Sequence, residues 1–273
     1  MGHGSDLERG SVAIRGVELA YQRGGTGPDV VWGHGLTSSM ADEDDRSLIR
    51  WADIRVGNRV LRYDARGHGE SESTAEPDGY SWASLAADQR ALADALDVGT
   101  YVAGGASMGC ATALHAALQD PDRVRGLVLM IPPTGWEGRA GQAELYEQMA
   151  SIVEGPGVEP LIEAAQQLPP ADPFVDVPDL AELRADAMRA WDTTRLARVF
   201  RGAATAQLPE RDRMATLGQP ALILAWTGDP THPVATADEL ASLLPQATVD
   251  VVSDLAGVLA WSDRVRSFLS DLG

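Results

Sequence analysis

The chain has 273 residues, 44% hydrophobic and 23% charged, a composition that supports a sizeable folded core and argues against disorder. Its 40 acidic residues outweigh 22 basic ones, all arginine, and the net charge of -18 would repel a nucleic-acid backbone or an anionic membrane. No run reaches the roughly 18 uncharged apolar residues of a membrane span, segment 1–10 lacks a signal peptide's apolar stretch, and the single cysteine, Cys110, excludes an internal disulfide or a cysteine-based zinc cluster. A cytoplasmic protein with a small-molecule partner is expected.

In chain order, residues 12–15 and 17–22 alternate apolar and polar around Gly16, which predicts a hairpin. Gly24-Gly25-Thr26-Gly27-Pro28 breaks the chain before the apolar run Val30-Val31-Trp32, a strand that ends at Gly33-His34-Gly35. Strand-like and helix-like segments then alternate: a strand at 59–63, a helix at 81–96, a strand at 100–106, a helix at 108–119 stopped by Asp120-Pro121, and a strand at 125–131. Such alternation buries best as a mostly parallel, doubly wound sheet with helices on both faces, which is the α/β class. Pro132-Pro133 interrupts it. Only helix-like stretches follow, at 142–153, 158–167 and 180–200, before strands at 221–225 and 248–252 and helices at 235–244 and 263–272. The expected division is a core of residues 1–131 and 214–273 around a helical insertion at 132–213.

Gly105-Ala106-Ser107-Met108-Gly109 lies between an apolar strand and a helix. In that context G-x-S-x-G is a sharp strand-to-helix turn whose small flanking residues let the backbone close, exposing the serine hydroxyl at the helix N-terminus. The turn predicts Ser107 as a nucleophile, with the Met108 amide aimed where oxyanion charge develops. Three further segments accompany it: Gly33-His34-Gly35-Leu36 after a strand, the run Tyr63-Asp64-Ala65-Arg66-Gly67-His68-Gly69-Glu70-Ser71, and Gly228-Asp229-Pro230 after a late strand. In these four segments, in order and spacing, the sequence resembles the α/β-hydrolase fold family, specifically its lid-bearing esterase, lactonase and carbon–carbon hydrolase branch. The resemblance covers nearly the whole chain. It implies that the Leu36 and Met108 amides form the oxyanion hole, that Asp229 is the triad acid, and that 132–213 is the lid. It also implies that the 64–71 segment is a structural turn in which Asp64 and Arg66 pair. Ser107 in place of an aspartate argues against epoxide hydrolase or dehalogenase chemistry. No nucleotide fingerprint or metal-ligand cluster occurs, so neither cofactor nor metal is expected.

One part of the family's pattern is missing. The triad histidine should follow the last strand, after a glycine, but Gly257 is followed by Val258 and no histidine occurs from Pro233 to Gly273. A serine hydroxyl is a weak nucleophile without an adjacent base. The chain has five histidines. His3 lies near the terminus, His115 sits on a helix where packing is expected, His68 belongs to the structural turn, and His34 adjoins the oxyanion loop. His232, three residues after Asp229, is the best remaining base. Its orienting acid is Asp229 or, by an exchange between neighbouring loops, Asp254.

Trp32 and Trp136, with Met149, Phe174, Met188 and Trp191, are candidates to line an apolar pocket; His34, Trp32, Thr134 and Trp136 are the expected substrate contacts. The acidic insertion favours a neutral substrate. The expected activity is a cofactor-free serine hydrolase that cleaves a small apolar carboxylic ester or lactone through an acyl-enzyme. Two alternatives stand beside it: a hydrolase-fold protein that has lost hydrolysis and binds a ligand or serves biosynthesis, and a carbon–carbon bond hydrolase.

Overall fold

The computed structural model describes residues 7–273; His3 lies outside them. Among the described residues, eight strands form one sheet in the order β1-β2-β4-β3-β5-β6-β7-β8. β1 (Glu8–Ile14) and β2 (Val17–Gly24) form the predicted antiparallel hairpin. Its turn residues Arg15 and Gly16 have φ of 41° and 82°, the two positive values that a tight two-residue hairpin turn requires. β3 (Asp29–Gly33), β4 (Arg59–Tyr63), β5 (Tyr101–Ala106), β6 (Val124–Met130), β7 (Ala221–Trp226) and β8 (Ala247–Val252) run parallel to one another. The helices are α1 (Met40–Arg46), α2 (Trp51–Ile54), α3 (Trp82–Ala95) and α4 (Met108–Gln119), then α5 (Arg139–Glu154), α6 (Glu159–Gln166), α7 (Leu180–Arg189), α8 (Thr193–Thr205) and α9 (Arg211–Met214), and finally α10 (Val234–Leu243), α11 (Leu255–Leu259) and α12 (Trp261–Asp271).

The central strands read as unbroken apolar runs because both faces are buried. In β3, Val31 joins one apolar cluster with Leu85 and Leu92 of α3, Leu114 of α4 and Leu240 of α10. Its neighbours Val30 and Trp32 point the other way, into a second cluster with Trp51 and Ile54 of α2 and Trp261 and Val265 of α12. The period-2 pleat sorts side chains between the two helical layers. A third cluster lies outside the sheet, where Tyr146 and Ala150 of α5 pack on Leu196 and Phe200 of α8.

Helices α5 to α9 fill the β6–β7 connection, where the sequence shows helical patterns only. The stretch read as one helix at 180–200 is two, because the Asp192 side chain accepts from the Arg195 amide at 2.8 Å and starts α8 as a cap. The short helices α1, α2, α9 and α11 have too few residues to show periodicity in the sequence. No helix among the described residues is long and apolar enough to cross a membrane.

Strand order positions the site. The chain moves from β3 outward to β4 on one side, then returns to β5 on the other side of β3. The segments leaving the carboxyl ends of β3 and β5 therefore diverge and leave a crevice between them, the usual ligand position in a doubly wound sheet.

Candidate active site

Ser107 occupies the junction of β5 and α4 with φ 51° and ψ -107°, a conformation costly for a residue with a side chain. The chain crowds around it. A Cβ at Gly109 would lie 2.0 Å from the Gly33 carbonyl oxygen, and one at Gly105 would lie 2.5 Å from the same atom. Both obstacles are backbone, so the glycines that the motif supplies are what let β3, β5 and α4 converge. The strained turn is held by the Ser107 amide, which donates to Met130 O at 2.9 Å.

The loop after β7 brings His232 to this serine. His232 Nε2 lies 2.8 Å from Ser107 Oγ, and Nδ1 lies 2.8 Å from Asp229 Oδ2. Asp229 folds the loop around its own carboxylate: Oδ1 accepts from the Thr231 and His232 amides at 2.9 and 3.3 Å, and Oδ2 accepts from Trp226 Nε1 at 2.9 Å. Burial pushes the Asp229 carboxyl upward, but His232, Trp226 and Thr231 together hold it well below the usual carboxylate range. Asp229 therefore stays ionised, accepts from Nδ1–H, and leaves the Nε2 lone pair directed at the hydroxyl. The alternative acid, Asp254, is engaged elsewhere: it caps α11, accepting from the Gly257 amide at 2.7 Å. Val258 is fully buried in the cluster that holds Trp226 and Trp261, whose rings stack at 5.6 Å.

The Leu36 and Met108 amides have no hydrogen-bond acceptor in the chain among the described residues. Two buried histidines fix the Leu36 loop. His34 Nδ1 donates to Gly35 O at 2.7 Å and Nε2 accepts from the Ala65 amide at 3.0 Å, so both nitrogens are committed and neither reaches the serine as a base. Burial, against the pull of Gly35 O, lowers the His34 pKa to about 4 and keeps the ring neutral. His68 Nε2 lies 2.7 Å from Leu36 O, anchoring the peptide next to the proposed oxyanion donors. The turn that carries it does not use the expected Asp64–Arg66 pair. Asp64 instead accepts from the Met40 and Glu70 amides at 2.7 and 2.9 Å, while Arg66 forms a buried two-pronged pair with Asp88 at 2.9 and 2.8 Å.

A cavity of about 340 Å³ opens between these loops and helices α5, α7 and α8. Ser107, His232 and Leu36 border it, and its apolar wall includes Ile131, Tyr146, Met149, Met188, Phe200 and Trp226. Met149 and Met188 are thus where the sequence suggests. The four residues expected to contact substrate are not in the wall. Trp32 is buried behind it, donating to Glu43 Oε1 at 2.9 Å and packing edge-on to Trp51 at 5.2 Å. Thr134 donates to Thr231 O at 3.0 Å and so braces the loop of His232. Trp136 donates to Pro209 O at 3.1 Å under the Arg211 guanidinium, and His34 serves the loop as described. Phe174 packs edge-on to Trp226 and Trp191 edge-on to His68, both away from the cavity. Sequence reasoning missed Ser38, Arg46, Tyr146 and Phe200 in the wall. Only the helical spacing of Tyr146 and Met149 hinted at a shared face.

The two remaining candidates have structural partners. His115 Nε2 lies 2.8 Å from Gln207 O and links α4 to the segment after α8. The Cys110 thiol is buried against Gly105 O and Met130 O, and burial raises its pKa well above the ordinary value, so it is not a reactive thiolate.

A family model described as the alpha/beta hydrolase fold matches residues 28–150. The chain is 25% identical over 194 residues to 3-oxoadipate enol-lactonase 2 of Acinetobacter baylyi, an alignment covering 71% of this chain and 70% of that one. Among solved structures, the enol-lactonase from Burkholderia xenovorans superposes with a TM-score of 0.79 at 24% identity, over 96% of this chain and 99% of that one. A thermophilic esterase from Thermogutta terrifontis gives the same TM-score and identity over 97% and 99%. With this strand order, sheet and family match, the chain has the α/β-hydrolase fold, and the relatives it resembles are hydrolases.

Proposed function

We propose that the protein is a serine hydrolase that cleaves a small carboxylic ester or lactone through an acyl-enzyme, with Ser107 as nucleophile, His232 as base and Asp229 as orienting acid. The observation that carries the reading is the unbroken line Ser107–His232–Asp229, two contacts of 2.8 Å each. Ser107 Oγ attacks the carbonyl carbon while His232 Nε2 takes its proton, and the negative charge on the carbonyl oxygen meets the Leu36 and Met108 amides. The imidazolium, stabilised by ionised Asp229, returns that proton to the departing alkoxide as the ester C–O bond breaks. Water then attacks the acyl-serine by the same exchange, releasing the acid and restoring the hydroxyl. In a lactone the departing alkoxide stays on the same molecule and a hydroxy acid is released.

Several features support this assignment. The Leu36 and Met108 amides are both unspent, Leu36 bordering the cavity with Ser107 and Met108 following the serine at the start of α4, and the apolar wall suits a short acyl chain in a cavity of about 340 Å³. The helical connection between β6 and β7 acts as a lid, since α5, α7 and α8 supply the outer wall. The named activities of the similar proteins, enol-lactonase and esterase, fall in the same reaction class. The alternative of a binding protein without hydrolysis drew its support from the lack of a histidine after the last strand, and the 2.8 Å contact of His232 with Ser107 weighs against it. The test is stoichiometric labelling by a fluorophosphonate together with turnover of 4-nitrophenyl butyrate. Both are expected in the wild type and lost in Ser107→Ala, and turnover is expected to fall by about 10⁴ or more in His232→Ala. An unlabelled wild-type serine, or full turnover in His232→Ala, defeats the assignment.

A further inference from the structure

The cavity wall is not uniformly apolar. One side comes from the loop after β3 and from α1, where Ser38, Glu43 and Arg46 line the space beside Leu36. Each is in an unusual state. The Ser38 hydroxyl is buried, with the residue 4% exposed, yet it has no hydrogen-bond partner. An unspent buried hydroxyl in a cavity wall is a donor waiting for an acceptor. Among the described residues, Arg46 is the only arginine in the wall. Although the chain carries 40 acids, no carboxylate lies within salt-bridge distance of it among the described residues, whereas most other arginines have one.

The wall's acid, Glu43, is shared with another cation: burial raises its pKa, and Arg62 opposes that more strongly than Arg46 does. Glu43 is occupied on both oxygens, accepting from Trp32 Nε1 at 2.9 Å and Arg62 Nη2 at 3.2 Å. Asp229 is likewise committed to His232, Trp226 and its own loop.

We propose that the cavity recognises a carboxylate carried by the substrate, held by Arg46 and Ser38, so that the preferred substrate is an ester or lactone with an apolar chain that also bears a negatively charged carboxylate. This deepens the serine-hydrolase reading and rests on it, and it replaces the expectation of a neutral substrate drawn from overall acidity. Net charge acts at long range and is screened within about 10 Å at ordinary salt, whereas a cation lining the site acts at contact. An acidic surface around a basic spot also directs anions to that spot alone.

The test compares mono(4-nitrophenyl) pimelate, which carries a free carboxylate, with its uncharged methyl ester. Wild-type kcat/KM is expected to favour the charged ester by about tenfold or more, with the preference shrinking as salt rises. In Arg46→Gln the ratio falls about tenfold, chiefly through KM of the charged ester; in Arg46→Glu it drops below one, and in Ser38→Ala it falls about threefold. Arg46 is exposed and its side chain has no hydrogen bond or salt bridge among the described residues, so Arg46→Gln is expected to keep the fold, checked by an unchanged thermal midpoint. If both esters are turned over equally well and Arg46→Gln leaves the ratio unchanged, the carboxylate subsite is wrong while the serine reading stands. If neither ester is hydrolysed and Ser107 resists fluorophosphonate, the serine reading fails. The subsite is then judged by calorimetric binding of pimelate, which supports it if Arg46→Gln weakens binding about tenfold and overturns it if wild type does not bind.

Discussion

Asp229→Asn isolates the orienting carboxylate from everything else in the loop. The substitution keeps size and keeps one oxygen for the Thr231 and His232 amides, now at 2.9 and 3.3 Å. It replaces the other oxygen, which accepts from both Trp226 Nε1 at 2.9 Å and His232 Nδ1 at 2.8 Å, with an amide group that only donates. Two donors then face a donor. The ring can relieve this by moving its proton to Nε2, where it points at Ser107 Oγ and blocks removal of the serine proton. Losing the correct tautomer in a serine triad costs about 10⁴ in kcat, so turnover of a small ester should fall by that order with KM little changed. The Trp226 indole, left without its acceptor, adds an unsatisfied buried donor worth about 1–3 kcal/mol of stability, read as a drop in thermal midpoint. Because the native carboxyl is held below its ordinary pKa, its stabilisation is complete above the unfolded carboxylate range and lost only as pH falls through the depressed native value. The kinetic comparison is therefore made near neutrality. An Asp229→Asn protein that turns over within tenfold of wild type would remove Asp229 from the mechanism.

Three further outcomes follow from the same geometry. Asp254→Ala should cost about 1 kcal/mol as a lost cap on α11 and leave turnover within a few-fold of wild type; a hundredfold loss on the small ester would instead make Asp254 the acid. Val258→His should not restore a better triad, because the position is fully buried beside Trp226 and Trp261; a polar ring there costs about 1–3 kcal/mol in urea unfolding, and a gain in turnover would refute that placement. His34 is neutral when folded, with a pKa of about 4, so the unfolded chain binds the extra proton first as pH falls below about 6.5. Stability should decline by about 2 kcal/mol from this ring alone between pH 7 and pH 5, and His34→Asn should show a correspondingly shallower decline; parallel slopes would mean that the ring is not buried neutral.

The sheet was legible because its central strands are apolar on both faces and bounded by glycine and proline, a signal that survives without tertiary context. The nucleophile turn was legible for a related reason: Gly105 and Gly109 are demanded by backbone atoms, so the requirement is written at fixed spacing. The cavity wall was not. Tyr146, Met149, Met188 and Phe200 meet only because α5 packs on α8 and α7 closes behind them, contacts between segments whose apolar residues look in sequence like any helix core. Trp32 and Trp136 misled for the converse reason. Their indole N–H groups find Glu43 and Pro209, and a satisfied buried tryptophan looks the same in sequence as one facing a ligand. Arg46 was invisible because α1, with seven residues, is too short for its faces to be read, and because an unpaired arginine differs from a paired one only in three dimensions.

The position of His232 follows from strand spacing. In the order β5-β6-β7-β8, a residue on the β7 loop lies two strands from Ser107 and one on the β8 loop lies three. At about 4.8 Å per strand, a base on the inner loop has about 10 Å to span rather than about 14 Å. The inner loop therefore has room to curl back over a short Asx-type turn, and Asp229 provides it by binding the amides of the two residues that precede and include the histidine. Acid and base three residues apart on one turn do not depend on the register of β7 against β8 to find each other. The outer loop is correspondingly released from catalytic duty: Asp254 caps a helix, and that helix buries Val258 in the same apolar cluster as Trp226 and Trp261. A valine there adds to the apolar cluster that holds Trp226, whose indole N–H in turn fixes the carboxylate that orients His232.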